Sequence, residues 1–223
     1  MQKKIYLSYP LDQEMPCYGN MEKVSINRVS SIEHGGTANQ SRIITSLHNG
    51  THIDFPFHFY KNGQTVDNYS PDFWFFDNPI LLEIKPRGQI LCQEIIEKIL
   101  RINCKSADIL IVKTGICNMR DKDIYWQKNY GFSSDLYSFF KKHMPDLKVF
   151  GFDSVSVSSF AERESGRLAH RVFLNPSDPI LLLEDMNLCD ISKNMELKKV
   201  IVAPIRVKGC DASLCTVWGI FDD

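Results

Sequence analysis

The sequence lacks an excess of charge of either sign. Its 223 residues contain 26 lysines and arginines against 27 aspartates and glutamates, a formal net charge of −1. A protein that binds nucleic acid through the phosphates needs a basic excess that releases counterions, and this chain has none. It also has no basic amphipathic segment that would suit a membrane surface. We therefore expect no nucleic acid and no membrane as partners, which leaves a small-molecule substrate as the default.

Long hydrophobic runs and paired cysteines are absent as well. No apolar run near Met1 is long enough for a signal peptide, and no later run approaches the ~20 residues of a membrane span. The seven cysteines are odd in number, scattered along the chain and without a C-x-x-C pair, which is typical of reduced thiols. These absences predict a cytoplasmic protein.

No internal repeat, low-complexity tract or Gly/Ser-rich linker divides the chain, so we expect a single domain over residues 1–223. Short β-branched runs predict seven strands, at residues 43–47, 80–84, 109–113, 149–152, 180–183, 200–203 and 217–221. Apolar stripes predict two helices, at residues 92–100 and 134–143. Strands outnumber helices and do not strictly alternate with them, which favours a mixed α/β domain over a doubly wound parallel sheet.

Four side chains that can bind a metal or carry a proton occur close together in the segment 46–59. They are His48, His52, Asp54 and His58. In an extended strand all four would point to one face, but His48 and His52 would lie ~13 Å apart. In a helix those two histidines would meet at i and i+4, while Asp54 would turn away. We therefore predict an irregular turn centred on Gly50, with Pro56 preventing a regular continuation.

Burial of three imidazoles and a carboxylate without a metal would be costly, so their proximity predicts a metal site. A lone histidine beside a strand is more often an ordinary core or surface residue. Farther along, His170 follows residues 166–169, and Glu184 ends the apolar run 180–183. Taken alone, His170 would be interpreted as a capping residue and Glu184 as a surface residue. They become candidates only by association with the first cluster.

Residues 48–58 read H-N-G-T-H-I-D-F-P-F-H and resemble the H-x-G-T-H-x-D-x-P-x-H signature of the metal-dependent cyclase family, which includes bacterial kynurenine formamidase and isatin hydrolase. Later landmarks of that family follow in the same order, at residues 112–115, 151–156, 169–171, 179–184 and 209–213. The resemblance covers most of the chain. It implies a swivelling β/β/α fold and a homodimer or higher homo-oligomer.

The resemblance also implies a ligand set. His48, His52 and Asp54 would bind one metal ion. Asp54 would also bridge to a second ion, held by His170 and Glu184. Some relatives hold only one metal, so the number of ions stays open at this point.

The remaining roles follow from the same resemblance. His58 would be the general acid/base. Zinc is the usual metal of the family and manganese also occurs, and a ligand set of imidazoles and carboxylates without cysteine suits either ion. Independently of the resemblance, each ligating imidazole should have a partner that orients it, and Thr51 and Asn49 are candidates.

The implied reaction is hydrolysis of the C–N amide bond of a small aryl amide by metal-activated water, as in the kynurenine formamidase (arylformamidase) step of tryptophan catabolism. Members of that kind carry a tryptophan near the N-terminus beside a Pro-Gly-Asp turn. This chain has P-C-Y-G-N at residues 16–20, which makes Tyr18 the candidate substrate contact. Relatives also read D-A-S-P-V-R near the end, where this chain has D-A-S-L-C-T at residues 211–216. These departures leave a cyclic amide or lactone open as the substrate.

Two other functions stay open. His52, Asp54 and His170 fit the H-x-D…H facial triad of non-haem iron oxygenases. That assignment leaves Glu184 and two further histidines without a role. A non-catalytic ligand-binding protein would keep the same fold, but a purely structural metal site needs no spare imidazole such as that of His58.

Overall fold

The computed structural model describes residues 2–192 and 195–222. The strands, numbered in chain order, are β1 (Gln2–Tyr6), β2 (Ser25–Ser30), β3 (Gln40–Ile44), β4 (His52–Asp54), β5 (Phe75–Phe76), β6 (Pro79–Glu83), β7 (Ile90–Leu91), β8 (Ile109–Lys113), β9 (Gly131–Phe132), β10 (Val149–Phe152), β11 (Leu181–Glu184), β12 (Glu196–Pro204) and β13 (Ala212–Asp222). The helices are α1 (Gln93–Ile99), α2 (Ile124–Gln127), α3 (Asp135–His143) and α4 (Arg163–Phe173). Short 3₁₀ turns lie at Tyr18–Asn20, Ile32–His34, Pro56–His58, Val66–Asn68, Pro71–Trp74 and Ile116–Met119.

A mixed sheet forms the centre of the fold. Within the described parts of the chain it has nine strands in the spatial order β5-β12-β13-β4-β11-β10-β8-β6, with β1 paired to β13. Strands β6, β8, β10 and β11 are parallel to their neighbours in that group, and the other pairs are antiparallel. Strand β12 also contacts β6, so the two ends of the order approach each other and the sheet nearly closes. The predicted mixed α/β class is confirmed.

Continuous apolar runs make the parallel strands easy to recognise, because such strands are buried on both faces. The strands predicted at residues 109–113 and 149–152 are observed as β8 and β10. Those predicted at residues 80–84 and 180–183 are displaced by one residue in β6 and β11. The last two predicted strands lie inside the longer β12 and β13. The two predicted helices are confirmed as α1 and α3, each slightly shorter than expected.

The strand predicted at residues 43–47 is wrong in position. Strand β3 ends at Ile44 and pairs with β2 in a separate two-stranded ladder. Ile43 and Ile44 are exposed there, so their β-branched character does not mark a buried strand. The residues after Ile44 lead into the turn that carries His48.

Helix α4 is the longest helix in the described residues, and the sequence did not predict it. Its buried face consists of Gly166, Ala169, His170 and Phe173 at helical spacing. Only Ala169 and Phe173 have apolar side chains, so the sequence shows no apolar stripe here. Gly166 allows a close approach, because a Cβ at this position would overlap Ser158. Neither α4 nor any other helix in the described ranges is long and apolar enough to cross a membrane.

Aromatic side chains fix α4 against the sheet. Phe150 of β10 is fully buried, stacks on Phe173 of α4 and packs edge-on against Phe140 of α3. Ring pairs of this kind stabilise beyond the area that they bury. Because His170 lies three residues before Phe173 on the same helix, this packing also determines where its imidazole lies.

Candidate metal centre

The turn predicted around Gly50 brings two histidines together. Gly50 has φ +68°, in the left-handed region that favours glycine, and a Cβ there would lie 3.0 Å from Met15 Cε. The ring centroids of His48 and His52 are 5.2 Å apart, far less than an extended strand would allow. The chain then becomes regular, since β4 begins at His52 and a 3₁₀ turn begins at Pro56. The prediction of irregular backbone is therefore confirmed at Gly50 and wrong for β4.

The sheet register assembles an imidazole and two carboxylates. Strand β4 lies between β11 and β13, and Glu184 of β11 pairs directly with His52. His52 and Asp54 are two residues apart on one strand, so their side chains share a face. His52 Nε2 lies 3.4 Å from Glu184 Oε2 and 3.5 Å from Asp54 Oδ1. All three side chains are buried.

Backbone carbonyls hold two imidazoles in an orientation suited to metal binding. His52 Nδ1 lies 2.8 Å from the carbonyl oxygen of Gly50, and His170 Nδ1 lies 2.9 Å from that of Gly166. A carbonyl can only accept, so each Nδ1 carries a proton and donates it. The Nε2 atoms point toward the carboxylates, with His170 Nε2 3.6 Å from Asp54 Oδ2. Hydrogen bonds of this kind fix the tautomer of a metal ligand.

Thr51 and Asn49, which the sequence suggested as orienting residues, make other contacts. Thr51 Oγ1 donates to the carbonyl of Asp185 at 2.6 Å and accepts the amide of Tyr9 at 3.0 Å. Asn49 Nδ2 donates to the carbonyl of Glu22 at 2.8 Å. This prediction is wrong, because backbone carbonyls supply the orientation that side chains were expected to provide.

Asp54 lies at the centre of the cluster. It is 1% exposed, and neither carboxylate oxygen accepts a hydrogen bond from the described residues. His48 Nδ1 is 3.0 Å from Asp54 Oδ1, close enough for an ion pair but without the alignment of a hydrogen bond. Burial would raise the pKa of Asp54, yet the imidazoles of His48, His170 and His52 outweigh burial and lower it well below its usual value. Asp54 is therefore a buried anion that a cation would satisfy.

Asp211 is a site residue that the sequence did not predict. It directly precedes β13, whose first residues pair with β4. Its Oδ2 lies 2.9 Å from His48 Nε2 and 3.0 Å from His58 Nδ1. Burial lowers the pKa of His48, but the carboxylates of Asp54 and Asp211 outweigh burial and raise it to about 10. Hydrogen bonds from His48 and His58 in turn hold the pKa of Asp211 well below its usual value.

The candidate ligands form two overlapping groups around Asp54. Ligand atoms of His52, Asp54 and Glu184 lie within 4.8 Å of one another, and so do those of His48, Asp54 and His58. The sequence-based assignment instead pairs His48 with His52 and leaves Glu184 to a second ion. The distribution of ligands between one or two ions stays a prediction.

The electrostatics favour a positive charge at this position. Burial lowers the pKa of His52, but the hydrogen bond to Glu184 and the charge of Asp54 raise it above its usual value. The pKa of His170 is also raised, since burial lowers it but the interaction with Asp54 outweighs burial. The carboxylates therefore attract either protons or a metal ion, and these compete for the same imidazole nitrogens. The chemistry of the donor set, nitrogen and oxygen without thiolate, fits zinc or manganese.

One cavity of about 490 Å³ opens onto this cluster. All of the site residues predicted from the sequence line it, namely His48, His52, Asp54, His58, His170, Glu184 and Tyr18. The hydroxyl of Tyr18 lies 3.5 Å from the carbonyl oxygen of Ser159, and its ring packs edge-on against Phe160 at 5.5 Å. Arg163 and Arg167 of α4 also line the cavity, and the sequence did not predict them.

Known proteins resemble this chain in sequence. Cyclase-like protein 1 of Arabidopsis thaliana is 29% identical over 188 residues, which cover 79% of this chain and 70% of that protein. Kynurenine formamidase of Bacillus thuringiensis subsp. konkukian is 37% identical over 62 residues, but the match covers only 28% of this chain and 30% of that enzyme.

Solved structures show the same fold. Isatin hydrolase A from Labrenzia aggregata, bound to benzyl benzoate, superposes with a TM-score of 0.79 at 18% identity and covers 98% of this chain and 93% of that one. The family model named Cyclase matches residues 5–159, which is more than half of the chain and includes the histidine motif. The match ends before His170 and Glu184, so the placement of those two residues rests on the geometry alone. The chain belongs to the Cyclase family, as its H-x-G-T-H-x-D-x-P-x-H signature predicts.

Proposed function

We propose that the chain is a metal-dependent hydrolase that cleaves the C–N amide bond of a small aryl amide, an activity like that of kynurenine formamidase (arylformamidase). One observation carries the proposal. The buried Asp54 carboxylate accepts no hydrogen bond from the described residues, while His52 and His170 turn their Nε2 atoms toward it. A buried anion among such imidazoles favours a divalent cation.

The proposed metal ligands are His48, His52, Asp54, His170 and Glu184, with Asp54 shared if two ions are bound. Zinc is the first choice of metal and manganese the second. When bound, the metal supplies Lewis acidity, which polarises the substrate carbonyl and lowers the pKa of water. The two ring nitrogens of His48 lie beside the carboxylates of Asp54 and Asp211. One of these two contacts would therefore be replaced if His48 bound the metal.

His58 is the proposed general acid/base. The ionised Asp211 can only accept, so His58 Nδ1 carries the proton of their hydrogen bond and Nε2 stays free to exchange protons. Nε2 would take a proton from the attacking water and return it to the leaving nitrogen. Asp211 holds the ring in the tautomer that this step needs and stabilises the imidazolium while it exists.

The cavity supports a small aromatic substrate. Its volume of about 490 Å³ lies within the usual range of small-molecule sites. Tyr18 and Phe59 line it, and Phe59 stacks on His170 with 4.7 Å between ring centroids. An aryl group in this cavity would therefore lie beside the proposed metal ligands. The partial sequence match to kynurenine formamidase supports a formyl amide as the reacting group.

A cyclic amide or lactone, as for isatin hydrolase, is the second candidate substrate. It is favoured by the extent of the structural match, since isatin hydrolase A matches 98% of this chain whereas kynurenine formamidase matches 28% in sequence. Both reactions need the same attack of water on a carbonyl group. They differ in whether the leaving group stays attached to the product.

An iron oxygenase and a non-catalytic binding protein have less support. An iron oxygenase with an H-x-D…H triad needs open coordination positions on the iron. Glu184 Oε2 lies 3.4 Å from His52 Nε2, so this carboxylate would take up one of those positions. A site that only binds needs no acid/base histidine, whereas the hydrogen bond to Asp211 holds His58 in the tautomer that proton transfer needs.

The proposal extends to the context of the enzyme. We take residues 1–223 as one catalytic domain that acts in the cytoplasm as a homodimer or larger homo-oligomer. Seven free cysteines support a reducing compartment, and the family resemblance supports the oligomer.

The test is turnover of N-formyl-L-kynurenine and of isatin by zinc-loaded, manganese-loaded and chelator-treated protein. We expect hydrolysis of N-formyl-L-kynurenine that disappears on chelation and returns with metal. Hydrolysis of isatin alone would move the assignment to the cyclic amide. Full activity after verified removal of the metal would contradict the proposal.

A further inference from the structure

Two arginines line the cavity without a carboxylate partner among the described residues. Arg163 and Arg167 lie one turn apart on α4, the helix that also carries His170. Residues four apart on a helix lie on the same face, so both guanidinium groups can reach one ligand. Neither forms an ion pair with any residue that the structure describes. Glu22 is the other exposed charged residue of the cavity, and no ion pair joins it to either arginine.

An aromatic wall holds the first of these guanidinium groups in place. Arg163 Cζ lies 4.1 Å from the ring centroid of Phe160, a cation–π distance. Phe160 packs edge-on against Trp126 at 5.1 Å and against Tyr18 at 5.5 Å. The ring beside the exposed Arg163 is thus itself held by two further rings, one of which belongs to Tyr18, the candidate substrate contact.

The positive charge of the pair reaches Tyr18. Burial raises the pKa of the Tyr18 hydroxyl, and Arg163 and Arg167 both act in the opposite direction by favouring its anion. Glu184 acts with burial and raises that pKa, so Tyr18 lies between the two arginines and a buried carboxylate. The carboxylates of Asp54 and Glu184 lie deeper, since both are buried. The cavity therefore has buried carboxylates at its centre and two arginines and Glu22 at its exposed edge.

We propose that Arg163 and Arg167 form a carboxylate-binding subsite, so that the substrate is an aryl amide that also bears a carboxylate. This inference rests on the proposed hydrolase function and narrows its substrate class. A guanidinium group binds a carboxylate through two parallel hydrogen bonds, which also orients the substrate. The scissile amide would then lie toward His58 and the buried cluster, while the carboxylate stays at the rim.

Equilibrium binding of benzoate and benzamide tests the subsite without any reaction. Calorimetric titrations would compare the metal-loaded wild type, the double variant R163Q/R167Q and the control R171Q. Arg171 is an exposed arginine of the same helix that does not line this cavity. We expect the wild type and R171Q to bind benzoate about tenfold more tightly than benzamide, and the double variant to bind both alike. If the double variant keeps the preference for benzoate, a metal ion or histidine holds the carboxylate and the proposal is overturned.

Hydrolysis of N-formylanthranilate and formanilide separates this inference from the proposed function. The wild type should prefer N-formylanthranilate by about tenfold in kcat/KM, and R163Q/R167Q should lose that preference chiefly through KM. Hydrolysis of both substrates with an equal preference in all variants would overturn the subsite and leave the hydrolase standing. Hydrolysis of neither, with benzoate binding that still depends on the arginines, would overturn the hydrolase and support the anion subsite.

Discussion

Replacing Asp54 by asparagine should weaken metal binding strongly while leaving the fold in place. The change is nearly isosteric and removes one negative charge from a buried position that accepts no hydrogen bond from the described residues. Two unit charges 4 Å apart interact by about 4 kcal/mol at an effective dielectric constant of about 20. We therefore expect the dissociation constant for zinc to rise by a factor of about 10³ or more.

Thermal unfolding with and without zinc measures this effect. At a free zinc concentration of about 100 times the wild-type Kd, binding stabilises the native state by about 2.7 kcal/mol. For a chain of this length that corresponds to a rise in Tm of about 5–11 °C. For Asp54→Asn the same zinc concentration is only about one tenth of the new Kd, so the rise should be below about 0.5 °C. Asp72→Asn, an exposed acid outside the cavity, is the matched control and should keep the full rise.

The reasoning would be refuted if Asp54→Asn gained as much stability from zinc as the wild type does. That result would mean that the ion binds outside the cluster or that the histidines alone hold it. Zinc content of the purified proteins, measured by atomic emission, gives an independent check on the same point.

The other predictions concern the proton donor, its partner and the turn. His58→Ala should keep its zinc and lose turnover by about 10²–10⁴-fold, and loss of zinc instead would show that His58 is a ligand. Asp211→Ala should lower kcat by about 10–100-fold with zinc retained. Asp211→Asn keeps a hydrogen-bond acceptor, so its kcat should fall less. Equal kcat values for the wild type and both variants would show that Asp211 has no part in the mechanism. Gly50→Ala should lower the free energy of unfolding by about 1–2 kcal/mol and reduce zinc content, because a Cβ there is strained and crowds Met15. Gly35→Ala has the same left-handed strain with open space around it and should leave zinc content unchanged, as denaturant unfolding and metal analysis of both variants can show.

The parts of the fold that the sequence predicts are those whose signal is local. Strands β8 and β10 are continuous apolar runs, which parallel buried strands require. Helix α4 lacked such a signal because Gly166 and His170 occupy half of its buried face. Gly166 allows a close approach to Ser158, and His170 lines the cavity, so neither residue contributes to an apolar stripe.

The candidate site also has a part that the sequence predicts and a part that it does not. The motif at residues 48–58 is dense enough in imidazoles and carboxylate to be recognised without a structure. Asp211 is a single acid 153 residues from His58, and only the pairing of β13 with β4 brings it to the site. Its one sequence signal was its place in the landmark at residues 209–213. The two arginines had no signal, because charged residues on an unpredicted helix are interpreted as a solvated face.

Anomalous diffraction from crystals of the zinc-loaded protein tests the central claim most directly. We predict a zinc peak at coordination distance, about 2.0–2.2 Å, from an oxygen of Asp54 and from His52 Nε2. A second peak that shares Asp54 would support two ions. A protein that hydrolyses its substrate while its zinc lies away from Asp54 would contradict the proposed metal centre.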